Sequence, residues 1–245
     1  MRKGLTPRVI PQDRGLLRLA SADIRGLIRF LETQKKPDLI LYAGDDIGRF
    51  RPQCENLFEE LAGLSRYGLC AVAGNDDAPA TRELITGQNV YPVHSRALVL
   101  GEFAVVGVEG APLFANDDQH RNKGSLLYPE RFLSYLMRKW DCAAFKDKSL
   151  IVVSHAPPFG VLDFAVRFGP RSIGSRPLRE FLEASRNAIL CVCGHVHRCG
   201  GESAKLGRAL VVNAASHDRP GDPGRVFIIR IRGGRLLPPH WHYLP

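Results

Sequence analysis

Ala188-Ile-Leu-Cys-Val-Cys193 runs straight into Gly194-His195-Val196-His197, and this stretch decides how the rest of the chain is read. Six apolar residues ended by a glycine have the length and composition of a buried strand. The turn that leaves it carries two histidines one residue apart. Imidazole is the commonest protein metal ligand, so such a strand end offers two ligands from a rigid support. Taken alone, the stretch fits an ordinary pair of loop histidines equally well. What stands at the other strand ends decides between the two.

The same pattern recurs at other strand ends. Leu150-Ile-Val-Val153 is followed by Ser154-His155-Ala-Pro-Pro158. Leu39-Ile-Leu-Tyr-Ala43 leads into Gly44-Asp45-Asp46, and Leu69-Cys-Ala-Val-Ala73 into Gly74-Asn75-Asp76-Asp77. Leu16 to Ala22 reads as a strand that ends at Asp23-Ile-Arg25. Between these runs, apolar residues fall on one helical face. The faces are Ile24, Leu27, Ile28 and Leu31; Cys54, Leu57, Phe58, Leu61 and Leu64; Phe132, Leu133, Leu136 and Trp140; and Leu178, Phe181 and Leu182.

Gly68 is expected to close the second of these helices. Pro79 opens a short helix for which Asp76 or Asp77 is the expected cap. Ala97 to Leu100 and Phe103 to Val108 form a hairpin around Gly101-Glu102. Residues 109–128 read as a long polar loop, and long loops in compact domains are often functional. A lid is therefore expected there. Residues 209–212, 225–231 and 235–243 read as strands, the last two joined at Gly233-Gly234. Strands alternating with helices predict an α/β fold.

The chain has 245 residues, 44% of them hydrophobic, which is globular composition and suits a single domain over 1–245. No apolar run approaches the roughly 18 residues of a membrane span. The basic N-terminal stretch lacks the apolar segment of a signal peptide, so an intracellular, cytoplasmic protein without a membrane partner is expected. The six cysteines, at 54, 70, 142, 191, 193 and 199, form no CxxC pair and read as free thiols. Cys199 is the one expected to be exposed. The net charge of +9 suits anionic partners, either a phosphate-bearing small molecule or nucleic acid. No long basic tail and no basic stripe interleaved with aromatics favours nucleic acid.

Asp23, Asp45, Asn75, His155 and the pair His195/His197 thus each follow a strand. Each has an ordinary explanation, such as a cap, a turn residue or a core histidine. Recurrence at five strand ends argues for convergence on one crevice, where open α/β sheets bind ligands. Carboxylate, amide and imidazole without thiolate suit Mn, Fe, Zn, Ni or Co. Six such residues can hold two divalent ions if one carboxylate is shared, and paired ions serve phosphoryl chemistry.

As a set, Asp23-Ile-Arg25, Gly44-Asp45, Gly74-Asn75-Asp76-Asp77, Ser154-His155-Ala-Pro-Pro158 and Gly194-His195-Val196-His197 resemble the calcineurin-like metallophosphoesterases in residue type, order and context. Val212-Asn213-Ala-Ala-Ser216 is similar to that family's Asn-Pro-Gly-Ser segment. The resemblance covers residues 16–232. It implies a four-layer α-β-β-α sandwich of two mixed sheets and a phosphoesterase using two divalent metal ions. By the resemblance, Asp45 would bridge the ions, Asn75, His155 and His195 would complete one site, and Asp23 and His197 would belong to the other. Asn75 would also stabilise charge on the phosphoryl oxygens.

Two departures stand out. The family has Asp-x-His at the opening motif, and here Arg25 takes the third place. A guanidinium has no lone pair for a metal. Three outcomes are open: water or a side chain of the 109–128 loop (Asp117, Asp118 or His120) substitutes; Arg25 grips substrate phosphate bidentately; or the second ion is weak or absent. Asp76 stands where many members carry a proton-donating histidine, and an aspartate serves as a general acid only with a raised pKa. Substrates with good leaving groups would then be favoured. Two other functional classes stay in view: a protein-binding scaffold with an eroded site, and a nuclease. His94, His217, His240 and His242 receive no role from the sequence.

Overall fold

The computed structural model of the chain describes residues 7–10, 16–22, 30–32, 35–45, 56–114, 124–166, 169–215 and 224–244. The strands are β1 (Pro7–Ile10), β2 (Leu16–Ala22), β3 (Leu39–Tyr42), β4 (Leu69–Ala71), β5 (Val90–Pro92), β6 (Ala97–Leu100), β7 (Phe103–Val108), β8 (Ala111–Pro112) and β9 (Leu127–Tyr128). They continue with β10 (Ser149–Ser154), β11 (Phe164–Ala165), β12 (Arg171–Ser172), β13 (Ala188–Cys193), β14 (Ser203–Leu206), β15 (Ala209–Asn213), β16 (Gly224–Arg232), β17 (Arg235–Leu236) and β18 (His240–Leu244). Among the described residues the helices with stated bounds are α1 (Leu57–Gly63), α2 (Glu130–Arg138) and α3 (Arg176–Ala184).

Two mixed seven-stranded sheets form the centre. One runs β1-β6-β7-β10-β13-β15-β14; the other runs β17-β16-β2-β3-β4-β5, with β18 also on β16. In the first, β7, β10, β13 and β15 are parallel neighbours. In the second, β2 through β5 are parallel and β16 is antiparallel to β2. The expected fold class is observed.

Strand residues alternate between two faces, and here both faces are covered, which is why the strands read as continuous apolar runs. Leu39 and Leu41 pack into the core between the sheets with Phe103, Ile151, Val153, Leu190 and Val192. Ile40 and Tyr42, one residue out of phase, pack outward with Leu57, Phe58 and Leu61 of α1. Leu150 and Val152 face outward onto Leu133, Leu136, Leu178 and Leu182 of α2 and α3. Three apolar clusters thus separate four layers, helix, sheet, sheet, helix. Residues 30–32 are helical with Leu31 buried; Ile24, Leu27 and Ile28 lie outside the described residues, as does Cys54.

Several local expectations are corrected. Gly68 does not end a helix, because α1 closes at Gly63 and Leu64 is its C-cap. Gly68 instead has φ +107°, and a Cβ there would lie 2.0 Å from the Asn89 carbonyl, so a glycine is needed for the chain crossing into β4. The segment at Pro79 is a 3-10 turn, Pro79–Leu84, whose N-cap is Ala78, with no side-chain cap. Neither Asp76 nor Asp77 caps it. The 109–128 segment opens and closes as the parallel pair β8–β9. Asp117, Asp118 and His120 lie outside the described residues. Cys199 is buried, not exposed. β1 and β14, at the two edges of the first sheet, carry too few apolar residues to announce themselves as strands. Among the described residues no helix is long and apolar enough to cross a membrane.

Ser175 caps α3, its hydroxyl accepting from the Leu178 N–H at 3.3 Å. Ser175→Ala should lower unfolding free energy in urea by about 1 kcal/mol with an unchanged m-value, the ordinary cost of an N-cap.

Candidate metal centre

The parallel strands set the site by where they stop. His155 follows β10, and its N–H donates to Val108 at the end of β7. Gly194, after β13, donates to the His155 carbonyl at 3.0 Å. From the other sheet come Asp45 after β3 and Asn75 after β4. The sheets meet where His155 Nδ1 lies 2.7 Å from the Ala43 carbonyl. A carbonyl only accepts, so Nδ1 carries the hydrogen and donates it. The opposite nitrogen, Nε2, is thereby aimed at Asp45 Oδ2 at 3.3 Å and Asn75 Oδ1 at 2.9 Å. Asn75 presents its oxygen because its Nδ2 donates to Asp76 Oδ1 at 2.7 Å.

The ligand atoms of Asp45, His155 and His195 all lie within 4.8 Å of one another. The His155 and His195 rings meet edge to face with centroids 5.0 Å apart. A carboxylate, an amide oxygen and two imidazoles around one point are all lone-pair donors, and such a set is stable only around a proton or a cation. The donors fit a divalent transition metal, and the Nδ1–H to carbonyl bond is the kind of outer support that orients metal-binding histidines.

Charge within the cluster follows the same logic. Burial, the largest single influence, would raise the Asp45 carboxyl, but the charge and hydrogen bond of His155, with His195 and the Asp76 N–H, together hold it below the usual carboxylate range. Burial alone would lower His155, but the Asp45 charge and hydrogen bond raise it above its ordinary value. Burial, then the charge on His155, hold His195 down at about 3.

The backbone is bent to make this cluster. Asp45 and His195 have φ of +68° and +64°, conformations uncommon outside glycine. Tyr42 helps, since its hydroxyl donates to the Asp45 carbonyl. Buried Asp77 does more: its Oδ2 accepts from the Asp45 N–H at 3.0 Å and the Gly74 N–H at 2.7 Å. It ties the two acidic turns together, which is the role it has in place of the expected cap. Asn213, also buried, donates to the Val196 carbonyl at 2.9 Å and the Gly194 carbonyl at 3.3 Å, holding the Gly-His-x-His turn.

Of the residues singled out in the sequence, Asp45, Asn75, His155 and His195 come together, and Asp76 lies beside Asn75. His197 is exposed at the start of the 3-10 turn His197–Cys199, outside the group of three. Asp23, Arg25 and His217 lie outside the described residues. His94 joins a separate polar cluster, His240 lies 3.3 Å from Arg230, and His242 packs on Phe30. The sequence did not show what Asp77 and Asn213 do at this site, because their partners here include residues distant along the chain.

Comparisons with known proteins give the family and the fold. The family model described as Metallophos, calcineurin-like phosphoesterase, matches residues 20–199. No curated relative matches by sequence. A hypothetical protein from Thermus thermophilus is similar in structure, with TM-score 0.52, 14% identity, and coverage of 94% of this chain and 100% of that one. A putative 5'-nucleotidase from Staphylococcus aureus has TM-score 0.52 and 12% identity over 93% of this chain and 54% of its own. The Thermus thermophilus sulfate thiohydrolase SoxB, at TM-score 0.49 and 16% identity, is matched over 91% of this chain and 41% of its own. The chain therefore spans about half or less of the length of the last two. At such identity the likeness to the hypothetical protein and to the putative 5'-nucleotidase shows a shared fold.

Proposed function

Because the chain belongs to the calcineurin-like phosphoesterase family, whose members are metal-dependent phosphoester hydrolases, we propose that it hydrolyses a phosphomonoester or phosphodiester at a divalent-metal centre held by Asp45, Asn75, His155 and His195. The observation that carries this reading is the convergence of Asp45 Oδ2 and Asn75 Oδ1 on His155 Nε2, at 3.3 and 2.9 Å. Two ions, drawn from Mn, Fe, Zn, Ni or Co, would share Asp45, with Asp23 and His197 serving the second. Arg25 would leave that second site one ligand short. One domain, residues 1–245, would carry the whole site.

A bound ion would supply Lewis acidity at phosphorus and activate water. The chain's own residues do the rest. Asp45 brings the negative charge that offsets the ions. His155 is fixed in the tautomer that leaves Nε2 as donor, through its Nδ1–H to Ala43. Asp76 orients Asn75 by accepting from its amide. That makes Asp76 a positioning group rather than the acid that protonates the leaving oxygen, so phosphate esters with acidic leaving groups, such as aryl diesters, are the favoured substrates.

The test joins metal content by elemental analysis to hydrolysis of bis-p-nitrophenyl phosphate with added Mn, Fe, Zn, Ni or Co. At least one metal per chain and metal-dependent turnover are expected. Less than one metal per chain with no turnover under any of them would favour a scaffold role. Salt-sensitive DNA or RNA binding with cleavage would move the substrate to nucleic acid.

A further inference from the structure

A second polar cluster lies beside the candidate metal centre, built around Glu109. Glu109 follows β7, and the β7–β10 register sets Val108 opposite Ser154. Glu109 and His155 therefore leave adjacent parallel strands at the same edge. The Glu109 side chain is almost wholly buried, at 1% exposure, and one oxygen, Oε1, gathers three groups. Arg82 Nη1 lies 3.1 Å away, His94 Nε2 lies 3.7 Å away, and the Tyr128 hydroxyl donates to it. The Glu109 N–H donates to His94 Nδ1 at 3.2 Å, which leaves the His94 Nε2–H facing the carboxylate. The His94, Tyr128 and Phe132 rings pack against one another, with centroids 5.5, 5.1 and 6.2 Å apart.

The three partners come from three segments, and two of those segments bracket Asn75. Arg82 belongs to the 3-10 turn Pro79–Leu84, which leaves the Asn75 turn. Tyr128 belongs to β9, and two residues before it the Leu126 N–H donates to the Asn75 carbonyl at 3.1 Å. The loop neck is closed by Ala111 N–H to Leu126 and Leu113 N–H to Tyr128, at 3.0 and 2.9 Å. Gly110 fits inside this neck only as glycine, since a Cβ would lie 2.2 Å from the Leu126 carbonyl. Gly110 also donates to Ala73, one residue before Gly74, at 2.9 Å.

We propose that Glu109 is a positioning residue for Asn75: its buried carboxylate clamps the neck of the 109–128 loop and the Pro79–Leu84 turn around the Asn75 turn, and so keeps the Asn75 carboxamide on His155. The inference rests on the metal-centre reading above and adds a residue that the metal-ligand pattern does not contain.

A double-mutant cycle tests it. Mn2+ affinity is measured by calorimetry on the full chain for wild type, Glu109→Gln, Asn75→Ala and the double variant. Glu109→Gln should weaken Mn2+ binding by about 10–100-fold in the wild-type background, the usual cost of an outer-shell partner. In the Asn75→Ala background the same change should cost less than about threefold, because coupled residues are not additive. Equal losses in both backgrounds would overturn the proposal, whatever happens to Tm. Tyr128→Phe removes one hydroxyl and guards against a Glu109 variant that fails to fold; it should show the same coupling at smaller size, and no coupling there would also overturn it. The same cycle read as kcat on bis-p-nitrophenyl phosphate at saturating Mn2+ separates the two ideas. Wild type that binds Mn2+ without turnover would reject the phosphoesterase reading, while the affinity cycle would still decide on Glu109.

Discussion

Asp45→Asn should cut metal-dependent turnover of bis-p-nitrophenyl phosphate by more than about a hundredfold, beyond the roughly 10–100-fold that outer-shell partners cost. The substitution isolates charge from shape. Asparagine tolerates the left-handed backbone that Asp45 adopts at φ +68°, so the turn has no reason to unwind. The amide oxygen can still accept from the Asp76 N–H, which now lies 3.1 Å from Oδ1. What disappears is the negative charge beside His155 and, on the proposed reading, the carboxylate that two ions would share. Elemental analysis should show metal content falling together with activity. Full metal occupancy and near-normal turnover in this variant would mean that Asp45 is not a ligand.

Gly74→Ala should weaken metal binding by a similar factor, again more than about a hundredfold, without unfolding the protein. A Cβ on residue 74 would lie 1.8 Å from Asp45 Oδ1 and 2.4 Å from the Asp45 nitrogen. The φ of Gly74 is not in the positive range, so alanine is compatible with its own backbone, and the three atoms nearest to a Cβ all belong to Asp45. The carboxylate must move off His155, or the turn holding it must shift. Gly63→Ala serves as the control, since nothing lies within 4 Å of a Cβ there. Circular dichroism and Mn2+ calorimetry on both variants check this. Unchanged affinity in Gly74→Ala would show that the Asp45 turn yields cheaply and that its placement is not what fixes the site.

The strands were legible because their burial on both faces leaves an unbroken apolar signature, as in Leu150 to Val153. The ligand candidates were legible because each follows such a run directly. Asp45, Asn75, His155 and His195 need nothing more than a strand end to bring them to one rim. What could not be read were side chains whose work depends on partners distant in sequence. Asp77 looks like a helix cap from its neighbours, yet it accepts from Asp45, thirty-two residues away. Glu109 looks like the first residue of a polar loop, and its partners lie at 82, 94 and 128. Gly68 resembled a helix stop because the signal for a left-handed glycine is the same wherever the chain turns. β1 and β14 are edge strands, and an edge strand needs less apolar character than one buried on both sides.

The bond from His155 Nδ1 to the Ala43 carbonyl, like that from the Gly110 N–H to the Ala73 carbonyl, joins two sheets whose shared core is apolar. Asp45 and Asn75 hang from one sheet, His155 and His195 from the other. An ion gripped by all four would act as a rivet through the seam, and any sliding of one slab past the other would loosen its grip. Catalytic competence and mechanical cohesion of the sandwich would then be one property, lost together when the rivet is drawn.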